Sequence, residues 1–180
     1  MAIFSVPLAD REPVFMRVDE TPYENENRAV VIVDARKFLK LWRASPEGAP
    51  QRDIARGNPD TWRQDYRFPS AVEGFSEGFA NPVPLAQAGF SEFDHTTVSY
   101  KFFRFGRKAH TRHMRYVSFI NGITRTIWLL SHGCEAFPVE CGMSSAHQLH
   151  RAASVAGTRL FTVRDVQQGL IPVNRLPPYK

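Results

Sequence analysis

YVSFINGITRTIWLLSHGCEAFPVEC, residues Tyr116–Cys141, changes its hydrophobic period twice within a short span. Tyr116 to Ile120 is rich in β-branched and aromatic residues, as strands are, and Asn121-Gly122 is a tight-turn pair. Thr124 to His132 then predicts a short helix, with Gly133 as its C-terminal stop and Phe137 to Cys141 as another strand. Ile127 and Leu130, with Trp128 or Leu129, recur at helical spacing and form the expected core face. Strand, turn, helix and strand in this order point to the α/β (α+β) class.

The turn itself carries chemistry. A strand that ends in glycine and passes at once into a helix leaves backbone N–H groups unpaired at the helix N-terminus, where the dipole favours negative charge. The run Asn121, Gly122, Ile123, Thr124, Arg125, Thr126 therefore suits a phosphate: Gly122 for close backbone approach, Thr124 and Thr126 for hydroxyl hydrogen bonds, and Arg125 for a bidentate grip. Arg125 is the only Lys or Arg between Arg115 and Arg151. Local sequence alone leaves a second reading open, a strand-to-helix corner with Thr124 as N-cap and Arg125 in a surface ion pair.

Upstream, Val14 to Val18 reads as a short strand, and AVVIVDARKFLKLWRA as a strand followed by an amphipathic helix that starts at Asp34. SPEGAPQRDIARGNPDTWRQDYRFP reads as a long connection with one short helical turn. NPVP, from Asn81, is punctuation that forces extended backbone, and VSYKFFRFG reads as a strand turning at Gly106. Downstream, SSAHQLHRAASVAG and FTVRDVQQG read as two short helices around a strand-like LFTV. A chain of 180 residues, 43% hydrophobic, is expected to form one domain around one core. Its expected parts are an N-terminal extension (1–28), a core (29–141) and a C-terminal helical segment (142–180).

Charge is distributed unevenly. Met1 to Ser99 holds 11 Lys+Arg against 15 Asp+Glu, a balance of −4, whereas Tyr100 to Lys180 holds 12 against 3, a balance of +9. Such asymmetry points to a polyanion approached by the second half. The strip Lys101 to Arg115 gathers Lys101, Arg104, Arg107, Lys108, Arg112 and Arg115 with Phe102, Phe103 and Phe105 and no acidic residue. Cations there would neutralise phosphates, and an exposed phenylalanine could stack on an unpaired base. A solvated basic hairpin with its aromatics in the core is the plainer alternative. Cys134 and Cys141 are too few for a disulfide scaffold and read as reduced core residues. Neither His110 with His113 nor His132 with the two cysteines matches a zinc spacing. No run approaches the length of a membrane span, and the N-terminus lacks the features of a signal peptide, so an intracellular protein is expected.

The order strand, Asn-Gly, two residues, Arg, short helix, Gly, strand resembles the nucleotide-binding core of the ParB/sulfiredoxin superfamily, and Asn81 in NPVPLA is similar to the Asn-Pro segment that shares its pocket. With GNPDTW (Gly57 to Trp62), GFSEGFANPVPLA (Gly74 to Ala86) and NGITRTIWLL (Asn121 to Leu130), the pattern resembles plasmid fertility-inhibition factors of the Osa type. That resemblance implies a single ParB/sulfiredoxin-like domain, a small mixed sheet with flanking helices. It also implies a protein of the bacterial cytoplasm, peripheral at the inner membrane through the transfer machine, that blocks conjugative or T-DNA type transfer through a type IV secretion system. ATP with a divalent cation, Mg, would be its cofactors. Transferred single-stranded DNA or its protein complex, and a coupling protein, would be its partners, and its activities would be ATPase and DNase. Thr126 stands where the ParB turn has a second arginine, and Thr124 where sulfiredoxin has its reactive cysteine, so sulfinic-acid reduction is not expected.

Hydrolysis of a phosphate ester or anhydride usually needs a carboxylate to hold a cation or orient water. By chain position Glu73 and Glu77, just before NPVPL, join Arg125 as the catalytic candidates, with Glu140 on the strand after the helix. A non-catalytic inhibitor that docks on a component of the transfer machine is the alternative function.

Overall fold

A computed structural model describes residues 2–19, 27–100 and 107–167. In chain order its first half contains β1 (Ile3–Val6), β2 (Val14–Arg17), β3 (Arg28–Asp34), α1 (Ala35–Arg43), α2 (Arg52–Arg56), α3 (Pro59–Arg63), α4 (Phe68–Ser76) and β4 (Val83–Pro84). There follow β5 (Ala86–Tyr100), β6 (Arg107–Asn121), α5 (Ile123–Ser131), β7 (Ala136–Gly142), α6 (Met143–Ala153), β8 (Phe161–Thr162) and α7 (Val163–Gln167). The strands form two mixed sheets where one small sheet is expected from sequence: β1-β2-β4, and a five-stranded sheet in the order β6-β5-β7-β3-β8.

β3 is buried along its whole length except Asp34, as a continuous apolar run in a central strand must be. It pairs antiparallel with β7 on one side and with β8 on the other. The Asp34 carboxylate then caps α1, accepting from the Arg36 and Lys37 N–H groups at 3.0 and 2.9 Å. α1 turns Phe38 and Trp42 into the core, where both meet Phe119 of β6 edge-on.

α5 begins at Ile123, with Gly122 rather than Thr124 at the N-cap in a left-handed conformation (φ 90°). Its core face is Thr126, Ile127, Trp128, Leu129 and Ser131, while Leu130 lies half-buried against that core. The expected pairing of Ile127 with Leu130 is thereby corrected, because α5 is sandwiched between α3, α4 and β5 and buries more than one stripe. Gly133, at φ 65°, ends the helix against Ala9, which leaves no room for a Cβ.

Two other expectations change. The segment after Ser45 is not a long connection but the short helices α2 and α3 and the start of α4. Asn58 makes a capping box with Thr61 ahead of Pro59, and the Trp62 indole donates to the Ile54 carbonyl at 2.6 Å. The Arg43 guanidinium, donating to the carbonyls of Ala55 and Gly57 at 2.9 Å each, pins this pair of helices to α1. Second, β5 starts at Ala86 and runs 15 residues, paired with β6 along its length. The Lys101 to Gly106 part of the expected strand and turn, with its three phenylalanines, lies outside the described residues.

Candidate functional site

β6 ends at Asn121, and the chain enters α5 through Gly122. The Asn121 side-chain oxygen accepts from the Gly122 N–H at 2.7 Å. No side chain caps α5, so the first N–H groups of the helix stay turned toward the space beyond its N-terminus. Thr126 does not reach that space: it is fully buried, and its hydroxyl donates back to the Gly122 carbonyl at 3.1 Å. Ile123, Thr124 and Arg125 are each half-buried.

Arg125 leans across to the segment before β5. One of its terminal nitrogens donates to the Pro84 carbonyl and, at 3.3 Å, to that of Leu85. No carboxylate lies within 4.0 Å of it among the described residues, so the surface ion pair considered from sequence is absent there. Burial holds its guanidinium below the ordinary arginine value, Asp19 opposes that, and Arg17 adds to it. Arg17, at the end of β2, holds the same segment from the other side, donating to the Asn81 side-chain oxygen at 3.4 Å and to the Pro82 carbonyl. Asn81, exposed, donates in turn to Glu77. The proline-rich segment is thus clamped between two arginines.

From Arg17 the polar network continues inward. Its Nε lies 3.4 Å from the Asp19 carboxylate, and the Asp19 carbonyl accepts from Arg28 at 3.3 Å. The Arg28 Nε donates to Glu140 at 2.5 Å, and Gln87 donates to the same carboxylate oxygen at 3.4 Å. Burial pushes the Glu140 carboxyl up, with Arg28 pulling against it. Strand register aligns these groups: Asn121 of β6 faces Gln87 of β5, which faces Glu140 of β7.

Asn121, Arg125 and Asn81 are therefore brought to one end of the sheet, with Glu77 joined through Asn81. Glu73 is exposed on α4, and among the described residues no hydrogen bond or ion pair joins its carboxylate to the turn. Glu140 is close but only 4% exposed. Arg17, Asp19, Arg28 and Gln87 are absent from the sequence-based set. Only the position of Arg17 and Asp19 at the end of a short strand hinted at them. Of the basic strip, Arg112 and Arg115 are exposed on β6, Arg107 and Lys108 begin it, and Lys101 and Arg104 lie outside the described residues. No group of three or more His, Cys, Asp or Glu is placed to hold a metal among the described residues. His132 instead pairs with Asp10 at 2.8 Å, and Cys134 and Cys141 are buried free thiols pushed up to about 12 by burial. No described helix is long and apolar enough to cross a membrane.

This arrangement has relatives. The chain is 25% identical over 138 residues to "Protein osa" of Shigella flexneri, an alignment covering 76% of this chain and 60% of that protein. It thus spans less than two thirds of that relative's length. Its fold is similar to the crystal structure, as a gold(I) cyanide derivative, of the Oncogenic Suppression Activity protein, a plasmid fertility inhibition factor. The TM-score is 0.70 at 22% identity, covering 93% of this chain and 76% of that one. The family described as plasmid fertility inhibition factor matches residues 30–154, from the central strand β3 to the end of α6 and including the whole α5 turn. With most of its length inside that match, the chain belongs to the plasmid fertility inhibition factor family.

Proposed function

We propose that this fertility inhibition factor binds a nucleoside triphosphate at the α5 turn, hydrolyses it, and degrades DNA, so blocking conjugative or T-DNA type transfer through a type IV secretion system. The observation that carries the nucleotide reading is Arg125: a half-buried cation with no carboxylate within 4.0 Å among the described residues, beside a helix N-terminus that no side chain caps. A bound phosphate would receive the backbone N–H groups of α5 and the guanidinium nitrogens that Arg125 does not spend on Pro84 and Leu85.

A divalent cation fits this site only as a companion of the nucleotide. Magnesium commonly keeps several waters and is held by phosphates with one or two carboxylates. Glu77 is the exposed carboxylate joined to the clamped segment, through Asn81. The cation would supply charge neutralisation at the phosphates, while Arg125 and the α5 backbone would orient them. Glu77 is the candidate to position water, ahead of Glu73.

A second reading has its own observation. The bonds from Arg125 to the Pro84 and Leu85 carbonyls would hold the fold with no ligand, which suits a non-catalytic inhibitor docking on a component of the transfer machine. Phosphate release from ATP by the purified protein, with Glu77→Gln alongside wild type, separates the two. Steady turnover lost in Glu77→Gln supports the enzyme. Absence of nucleotide binding and turnover in wild type supports docking.

A further inference from the structure

Away from the α5 turn, a groove of about 350 Å³ runs between α1 and β6. That volume lies at the lower end for ligand sites, enough for a nucleotide-sized segment. Lys37 and Lys40 stand on its α1 wall, Arg112 and Arg115 on its β6 wall, and Leu41 and Met114 add apolar surface between them. All four cations are exposed, and none has a carboxylate within 4.0 Å among the described residues. The Lys37 ammonium is spent in part on the Ser154 carbonyl, at 3.2 Å. The acids across the hairpin, Asp94 and Glu92, are taken up by His113, itself a lining residue of the groove, at 2.8 and 2.9 Å. Four cations against the two acids held by His113 leave the groove a net positive field that an anion would relieve.

The spacing favours a linear polyanion over a compact one. Lys37 and Lys40 are about 4.5 Å apart along the helix axis, and Arg112 and Arg115 about 10 Å apart along the strand. The 15 residues of β6 include no Asp or Glu. Leu41 and Met114 offer an unpaired base an apolar face, a sulfur among it. We infer that the α1–β6 groove seats the phosphate backbone of a single-stranded nucleic acid. Arg115 is six residues from Asn121, roughly 20 Å along the strand, so the seat is separate from the α5 turn. It deepens the DNA-directed part of the proposed function and rests on that reading.

Fluorescence anisotropy with a labelled oligothymidylate, titrated at several salt concentrations, tests it on the full chain. Wild type should bind with a linear log–log salt dependence. Lys37→Gln with Lys40→Gln should lower affinity roughly 25-fold near 0.1 M salt and flatten the slope by about 1.4, about 0.7 per cation. Arg36→Gln, an exposed α1 cation that does not line the groove, should match wild type in both. Melting curves coincident with wild type establish that each variant is folded. Wild-type affinity and slope in the double variant, with wild type binding the strand, would overturn the groove and leave the DNA-directed reading standing. A wild type that binds no strand would overturn both. Displacement of the strand by equimolar ATP, with ATP binding itself weakened by Lys40→Gln, would assign the groove to free nucleotide and overturn the strand.

Discussion

Gly122 and Ala86 touch so closely that a Cβ on the glycine would lie 2.6 Å from the Ala86 Cα. The turn at the end of β6 is thereby seated on the first residue of β5, and the glycine is required by packing against protein before any ligand is considered. Its φ of 90° adds a second requirement, since side chains rarely tolerate that conformation. Gly122→Ala should cost at least about 2 kcal/mol, from left-handed strain and from displacing β5. Chemical denaturation of the variant checks this, and a midpoint equal to that of wild type would refute it.

Arg28 and Glu140 should behave as a unit. They are 8% and 4% exposed, and their bond ties the first residue of β3 to β7. Arg28 keeps its bond to the Asp19 carbonyl when Glu140 is changed, but its charge then lies buried without the opposing carboxylate, a loss that in buried pairs costs about 3 to 5 kcal/mol. Glu140→Gln is therefore expected to be strongly destabilising, and Arg28→Met with Glu140→Leu to recover most of the loss. A double variant no more stable than Glu140→Gln, measured by urea unfolding, would contradict this.

His113 gives the hairpin a pH dependence. Its ring lies between Asp94 and Glu92, whose hydrogen bonds raise its value above the ordinary 6.5. Desolvation opposes its charge without cancelling that direction. A raised folded value means that the stabilisation is fully present below about pH 6.5 and is lost as pH rises through the raised value. His113→Gln should melt below wild type at about pH 5.5 and together with it at about pH 9. A gap that persisted unchanged at the higher pH would refute the assignment.

The elements legible in the sequence were those whose local signals agree with their tertiary setting. The β3–α1 unit follows from an apolar run and the capping Asp34, and the β6–α5–β7 passage from Asn121-Gly122 and Gly133. The helices α2 and α3 were hidden because the composition after Ser45 reads as loop, although the Asn58-Pro59 capping signature was present. β5 was hidden by Gly89, Ser91, Glu92, Asp94 and His95, polar because most of the hairpin stands clear of the core. At the site, Asn121, Arg125 and Asn81 were legible from local motifs. Arg17, Asp19, Arg28 and Gln87 were not, since only the pairing of β2 with β4, of β3 with β7 and of β5 with β7 brings them there.

Arg125 carries the central claim, that the α5 turn seats a nucleotide. Losing its carbonyl bonds makes Arg125→Ala a variant expected to lose stability as well as ligand. Arg125→Lys keeps the charge and one donor to those carbonyls but loses the planar fork. The decisive measurement is calorimetric titration of wild type and Arg125→Lys with ATP and magnesium, beside their melting curves. A folded Arg125→Lys that binds ATP roughly tenfold or more weakly, the loss of a charge-assisted hydrogen bond of about 1.5 to 3 kcal/mol, is the result expected. Equal affinities for the two proteins would contradict it and leave Arg125 as a clamp on the Pro84–Leu85 backbone.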